Sequence, residues 1–316
     1  MASIILQRLR GGVPNDQIRS AWEPRATLIY AITAIEIVAA IILSVVTGFR
    51  YSAAAFVALP LWAALLAFGG MLMRRTGHPK VGGTMELTAL VYGQGFAILF
   101  LLFPLTALSG PFQDGLLASV DRYLGFDWVA FANLFRNSPT LVGAMVIIYK
   151  SFEWQPLLII ALLMRARLED RAWVFVGAAA LSSAIIALIY PFVPADGAFI
   201  HFGITPSEFP AFRGDSPWHF GPILHLIKDQ GVRLVIPSLF TGMVSFPSYH
   251  AAAAVMFSWA VWPLRWRWAF IALNVAMAIS ALIVGAHYLV DILAGAMIGA
   301  FFTWILPVIR APMLSR

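Results

Sequence analysis

The sequence predicts an all-α, polytopic integral membrane protein of about eight transmembrane helices, and three observations carry that expectation. Of its 316 residues, 61% are hydrophobic and only 11% are charged, where a soluble domain carries about a quarter charged residues. The apolar residues fall in runs close to the roughly 20 that a helix needs to cross a bilayer. The lysines and arginines collect in alternate loops between those runs, the charge asymmetry of membrane topology. Those loops account for the net charge of +6, so no nucleic-acid partner is expected. The chain has no cysteine, which excludes a disulfide framework, a zinc–thiolate site and a cysteine nucleophile.

The N-terminal stretch "MASIILQRLRGGVPNDQIRSAWEPR" has no apolar run long enough for a signal-peptide core and reads as a short basic arm. Eight spans follow, at 26–48, 53–73, 86–108, 139–164, 172–194, 249–264, 268–286 and 288–309. Glu36 lies in the first, and Lys150 and Glu153 lie in the fourth. Charges are costly in lipid, so Glu36 and Lys150 are expected to face protein or water, an ion pair between them being one arrangement. Ahead of the fourth span, "FDWVAFANLF" has the pattern of an amphipathic helix lying at the interface. In the last span, Gly295 and Gly299 are four apart, the spacing of a close helix contact inside the protein or, less commonly, of a dimer face.

Sidedness follows from the basic residues. Arg8, Arg10, Arg19, Arg25, Arg74, Arg75, Lys80, Arg165, Arg167, Arg171, Arg265, Arg267, Arg310 and Arg316 fall on one face, and only Arg50, Arg122, Arg136, Arg213, Lys228 and Arg233 on the other. Both termini are therefore expected in the cytoplasm, with a bacterial inner membrane as the setting. The segment 195–247 then lies outside the cytoplasm. It is far longer than a helix connection needs, and its tryptophan, phenylalanines and prolines indicate a folded extracytoplasmic cap. The expected division is an N-terminal arm with two accessory helices over 1–80, then a six-helix catalytic core over 81–316 that includes the cap.

The candidate site lies at the start of the sixth span and at the junction of the last two. His250 opens the sixth span in "SFPSYH", and His287 and Asp291 sit in "AHYLVD". Two antiparallel spans separate the histidines, so both return to one face of the membrane. His287 and Asp291 are four apart, one turn of a helix. Asp291 can then accept from the imidazole Nδ1–H, fix the tautomer and leave Nε2 free as a base or nucleophile. Ser248 just precedes an apolar helix, a favoured N-cap position, and the free N–H groups of that helix start are a seat for a phosphate. His250, in the first turn, is placed to protonate an oxygen leaving that phosphate. Lys228 and Arg233 share this side of the membrane and are candidates to neutralise phosphate oxygens. His201, His219 and His225 in the cap read as surface or packing residues, and Arg213 and Asp215 as loop residues with a minor headgroup reading.

"FPSYH" followed by "GAHYLVDILAG" resembles the second and third signature motifs of the type 2 phosphatidic acid phosphatase superfamily, to which vanadium haloperoxidases also belong. The forms of the two motifs are most similar to the branch of the aureobasidin-sensitive inositol phosphorylceramide synthases and their bacterial relatives. The motif-bearing stretch covers roughly 228–299. By that resemblance, His287 is the nucleophile that forms a phosphohistidine, His250 the acid that protonates the leaving group, Asp291 the residue that orients the nucleophile, and Ser248 a phosphate contact. Two positions depart from the superfamily pattern. Ala281 follows Ser280 where the third motif usually has arginine, and Lys228, Arg233 and Pro237 are too closely spaced for the first motif. The synthase branch tolerates both departures. The phosphate-binding roles of Lys228 and Arg233 therefore rest on side and charge alone.

The expected function is metal-independent phosphoryl transfer from a phospholipid or prenyl phosphate held in membrane lipid, to water or to an alcohol, with no cofactor. Two other readings stand beside it. Two histidines and a carboxylate can form an open zinc site, and eight spans with intramembrane charges suit a phospholipid transporter that binds phosphate without cleaving it.

Overall fold

In the computed structural model the described residues are 24–212, 217–240 and 242–310. The basic arm up to Glu23, and Arg213, Asp215 and Arg316, lie outside them. Each of the eight apolar runs forms a helix: α1 (Pro24–Thr47), α2 (Ala53–Arg75), α3 (Pro79–Leu108), α6 (Pro139–Arg165), α7 (Glu169–Ile189), α10 (Tyr249–Val261), α11 (Arg267–Val284) and α12 (Leu289–Arg310). Between them lie α4 (Asp114–Tyr123), α5 (Trp128–Asn133), α8 (Ala198–His201) and α9 (Phe220–Lys228). Six helices among the described residues are long and apolar enough to cross a membrane, so the protein is a nearly all-α, polytopic membrane protein. The sixth expected span is the short one: α10 has 13 residues, about 20 Å at 1.5 Å per residue, against a hydrocarbon core of about 30 Å.

That short helix is central. α10 packs against α6, α7, α11 and α12, and Ala251, Ala252, Ala253 and Ala254 are all buried. Small side chains let its neighbours approach the backbone, most closely at α12. A Cβ on Gly295 would lie 2.0 Å from the Ser248 carbonyl oxygen, and one on Gly299 would lie 2.4 Å from that of Ala252. The two glycines thus mark an intramolecular contact. The far end of α10 is closed by Arg171, whose guanidinium donates to the Trp259 and Ala260 carbonyls and lies 3.8 Å from the Trp259 ring centre. A cation there satisfies terminal carbonyls and opposes the negative end of the helix dipole.

The intramembrane carboxylate has a different partner from the one considered above. Glu36 accepts from the Gln94 amide at 3.0 and 3.1 Å, and Gln94 in turn accepts from Ser183 at 3.0 Å. A side-chain amide satisfies the carboxylate where an ion pair with Lys150 was one expectation.

The 195–247 segment shares one hydrophobic core with the ends of α3, α4 and α7. Phe199, Phe209, Ile223, Leu224 and Met243 are buried with Phe103, Leu117 and Trp128. It is also tied to the α1–α2 turn by two residues of parallel strand, with Arg50 opposite Leu234 and Tyr51 opposite Val235. Hydropathy could not reveal so short a pairing.

One polar clasp in this segment gives a testable pH dependence. His225 contacts Asp229 through Nδ1 and Asp196 through Nε2, the latter at 3.0 Å. The Phe112 ring lies beside it, tilted by 55° with centres 5.0 Å apart, and Lys228 is three residues on. The hydrogen bond to Asp229 holds the imidazole above its ordinary range, against a smaller effect of burial. Asp196 is also raised, because burial outweighs the pull of His225. A histidine whose folded value is raised contributes stability that is fully present below its unfolded value of about 6.5 and fades as pH rises through the folded value. Proteolytic nicking within 195–247 is expected to increase as pH rises through that window, and His225→Gln should abolish the increase. Identical nicking of the two proteins at each pH would refute this clasp.

Candidate active site

The site forms where two helix starts meet. α11 ends at Val284, and Ala286 takes a left-handed conformation at φ 53°. That geometry is uncommon for a residue with a Cβ and clusters at functional turns. It folds the His287 N–H back onto the Ala281 carbonyl at 3.2 Å and lets Ala286 accept from Ala198 N–H at 2.9 Å. His287 and Tyr288 then lead into α12, with Asp291 in its first turn.

His287 and Asp291 are both buried. His287 Nδ1 is 3.2 Å from Asp291 Oδ2. The same oxygen accepts from Ser245 Oγ at 2.7 Å and from Tyr288 N–H at 2.9 Å. A carboxylate so placed assigns the proton to Nδ1 and leaves a lone pair on Nε2. Ser248 Oγ lies 3.3 Å from that Nε2, so its hydroxyl is oriented as the donor. Ser248 is also the N-cap of α10, its Oγ accepting a long bond of 3.4 Å from Ala251 N–H, while its own N–H donates to the Asp291 carbonyl at 3.0 Å. The two helix starts are thereby cross-linked at the backbone as well as through side chains. Tyr249 and His250 N–H are the first two of α10 and have no intrahelical acceptor, as at any helix start.

His250 faces this cluster from the first turn of α10. Its ring centre is 6.5 Å from that of His287. One side is stacked on Tyr149 at 4.0 Å and 17°, with Phe152 at 4.6 Å. Aromatic packing, and no hydrogen bond to another described residue, sets the plane of this imidazole.

Lys228 and Arg233 have other roles. The Lys228 ammonium donates to Ser109 O, Ser109 Oγ and Gly110 O at 3.0, 2.8 and 2.6 Å. Its three protons meet three acceptors, and it closes the C-terminal end of α3, as cations at helix ends do. Arg233 donates to the carbonyls of Thr47, Ile227 and Val232 and lies over the Phe49 ring. Both hold the 195–247 segment to the ends of α1 and α3, and among the described residues neither hydrogen-bonds to His250 or His287. In the structure the donors of both cations are taken up chiefly by carbonyl oxygens, several of them at helix ends.

Four further residues around these side chains were not among the candidates read from the sequence. Ser245 holds Asp291, as described. Asp121 accepts from Leu289 N–H and Val290 N–H at 2.8 and 2.9 Å. Asp114 accepts from Tyr288 OH at 2.9 Å, and from Asp196 N–H and Gly197 N–H at 2.9 Å each. Trp128 donates its indole N–H to the His287 carbonyl at 2.9 Å. The expected interfacial helix at 126–135 is thus the six-residue α5, with Trp128 buried against the turn that carries His287. A signal did exist: Asp114 and Asp121 are seven apart, two turns on one helix face. Among the described residues no three His, Asp or Glu side chains are grouped so as to hold a metal ion.

Comparison with curated proteins and with solved structures gives no match. The PAP2 superfamily matches residues 115–305, from α4 through most of α12. That range contains both histidines, the carboxylate and serines around them, and most of the α4–α5 support, over well more than half of the chain. The chain belongs to the PAP2 superfamily.

Proposed function

We propose that this protein transfers the phosphoryl group of a membrane lipid through a phosphohistidine on His287, without a metal, at the extracytoplasmic face. Membership of the superfamily supports a lipid-phosphate phosphatase type of activity in general. The finer reading is supported chiefly by one observation: His287 Nε2 is left free by the Nδ1 contact to Asp291 and lies beside Ser248 at the start of α10. The phosphate would rest on the Tyr249 and His250 N–H groups and the Ser248 hydroxyl, where a helix N-terminus favours an anion.

The Nε2 lone pair attacks phosphorus, and the bond from phosphorus to the leaving oxygen breaks. Protonated His250 gives its proton to that oxygen, and Asp291 stabilises the positive charge that remains on the His287 ring. Neutral His250 then takes a proton from the acceptor as the acceptor oxygen attacks the phosphohistidine. This restores His287 and returns the proton to His250. Water as acceptor makes a phosphatase; an alcohol makes a phosphotransferase. Resemblance to the inositol phosphorylceramide synthase branch favours the alcohol.

A lipid substrate is supported by an apolar groove of about 390 Å³ between α7 and α12. Phe246 and Pro247 form its wall, with Ile185, Ile189, Met297 and Phe301. A hydrocarbon chain lying there would end beside Ser248.

The test is release of inorganic phosphate by the detergent-purified protein from phosphatidic acid, a prenyl pyrophosphate and phosphatidylglycerophosphate, with chelator present. The same lipids, labelled on phosphorus, are then offered with candidate alcohols. Turnover that survives chelator, with acid-labile and alkali-stable label trapped on the protein, is the expected result. Lipid binding with neither release, transfer nor label would overturn the proposal and leave a transporter.

A further inference from the structure

We propose that Asp121 is a positioning residue for the reaction at His287: it holds the first turn of α12 so that Asp291 stays on the nucleophile. The inference rests on the phosphoryl-transfer reading above. Four consecutive residues, 287 to 290, are each gripped by a side chain from the 114–128 stretch. Trp128 takes the His287 carbonyl, Asp114 the Tyr288 hydroxyl, and Asp121 the Leu289 and Val290 N–H groups. All three gripping side chains are almost completely buried. They come from two short helices about 160 residues upstream of the turn they hold.

A simple cap would account for two hydrogen bonds, but a second carboxylate at the same helix start makes Asp121 more than a cap. Asp291 is the third residue of α12. A carboxylate there is in reach of the unpaired N–H groups of its own first turn, which attract negative charge. One of its oxygens, Oδ1, is buried without a hydrogen-bond partner among the described residues. Leu289 and Val290 N–H are the donors it would turn towards, and Asp121 already occupies both. Asp291 Oδ2 is therefore left to Ser245, Tyr288 N–H and His287 Nδ1. Without Asp121, the two N–H groups would compete for Asp291, and rotation of that carboxylate would release Nδ1. The imidazole would then lose both its tautomer and its orientation.

Groups that orient metal-ligating histidines affect activity by about 10–100-fold, and a loss in kcat on that scale is expected for Asp121→Ala. KM should stay within about three-fold, because the phosphate seat on α10 is untouched, and Asp121→Asn, which keeps one acceptor, should recover part of the loss. The decisive readout is coupling. In an Asp291→Asn background, Asp121→Ala should cost far less than it does in the wild type, since both act through the same imidazole nitrogen.

These kinetics, with melting temperature in detergent as the check on folding, form the experiment. Additive losses in the double variant would overturn the proposal, as would Asp121→Ala turning over like the wild type. If Asp121→Ala does not fold, Asp121→Asn carries the same cycle, and Trp128→Phe, which removes only the indole donor to His287, should lower kcat at unchanged KM. Wild-type protein without any turnover would instead refute the phosphoryl-transfer reading itself.

Discussion

His287→Ala is expected to remove turnover by on the order of 10⁴–10⁶-fold, the scale on which nucleophile deletions act, while lipid binding persists. The variant keeps Ser248, His250 and the start of α10, so the groups proposed to bind phosphate remain. The nitrogen that would form the bond to phosphorus does not. His250→Ala should behave differently. Loss of a general acid costs about 10²–10⁴-fold, and the cost depends on how much the leaving oxygen needs a proton. A lipid alkoxide needs one, whereas the nitrophenolate of p-nitrophenyl phosphate does not. His250→Ala should therefore lose most of its activity on the lipid and much less on the aryl ester, while His287→Ala should lose both. Similar losses on the two substrates in both variants would contradict the separate roles of nucleophile and acid. Trapped label should vanish only in His287→Ala under conditions where the aryl ester is the phosphoryl donor.

Gly295→Ala is expected to be the most damaging substitution outside the histidines. Its Cβ would sit 2.0 Å from the Ser248 carbonyl oxygen and 2.9 Å from the Ser248 carbonyl carbon, both backbone atoms that have no rotamer by which to yield. α12 would have to withdraw from α10, stretching the Ser248 N–H bond to the Asp291 carbonyl and parting Ser248 from His287. Overpacking of a tight interior costs about 1–3 kcal/mol or more, and here the displaced backbone carries the site. Melting in detergent and turnover should fall together. Gly143→Ala in α6 is the control, since nothing lies within 4 Å of the added methyl, and replacing an unconstrained helical glycine by alanine gains up to about 1 kcal/mol. Equal melting temperatures for the two variants would show that α12 tolerates the displacement.

The histidine pair and its carboxylate were legible in the sequence because their relation is local. Four residues on a helix bring His287 and Asp291 to one face, and a serine before an apolar run is an N-cap wherever that run leads. The Gly295 and Gly299 spacing was legible for the same reason. For Lys228 and Arg233, charge and side say nothing of direction. Only the folded chain shows that the end of α3, with its unpaired carbonyls, lies closer to Lys228 than the histidines do. Glu36 was similar: lipid demands a partner for it, but the partner, Gln94, is chosen by how α1 and α3 pack.

The sequence by itself determined that this is a helical membrane protein, where its apolar runs lie, and that His250, His287 and Asp291 come together. Hydropathy, helix period and capping act over a few residues and need no fold to be read. Tertiary structure alone decided that α10 is short and enclosed, and that two basic residues serve as staples. It also decided that Asp114, Asp121 and Trp128 hold the turn that carries His287. Those contacts join residues 159 to 174 positions apart, and no local pattern carries that distance. Buried backbone N–H and C=O groups must find partners somewhere, and the packing of the whole bundle decides which ones.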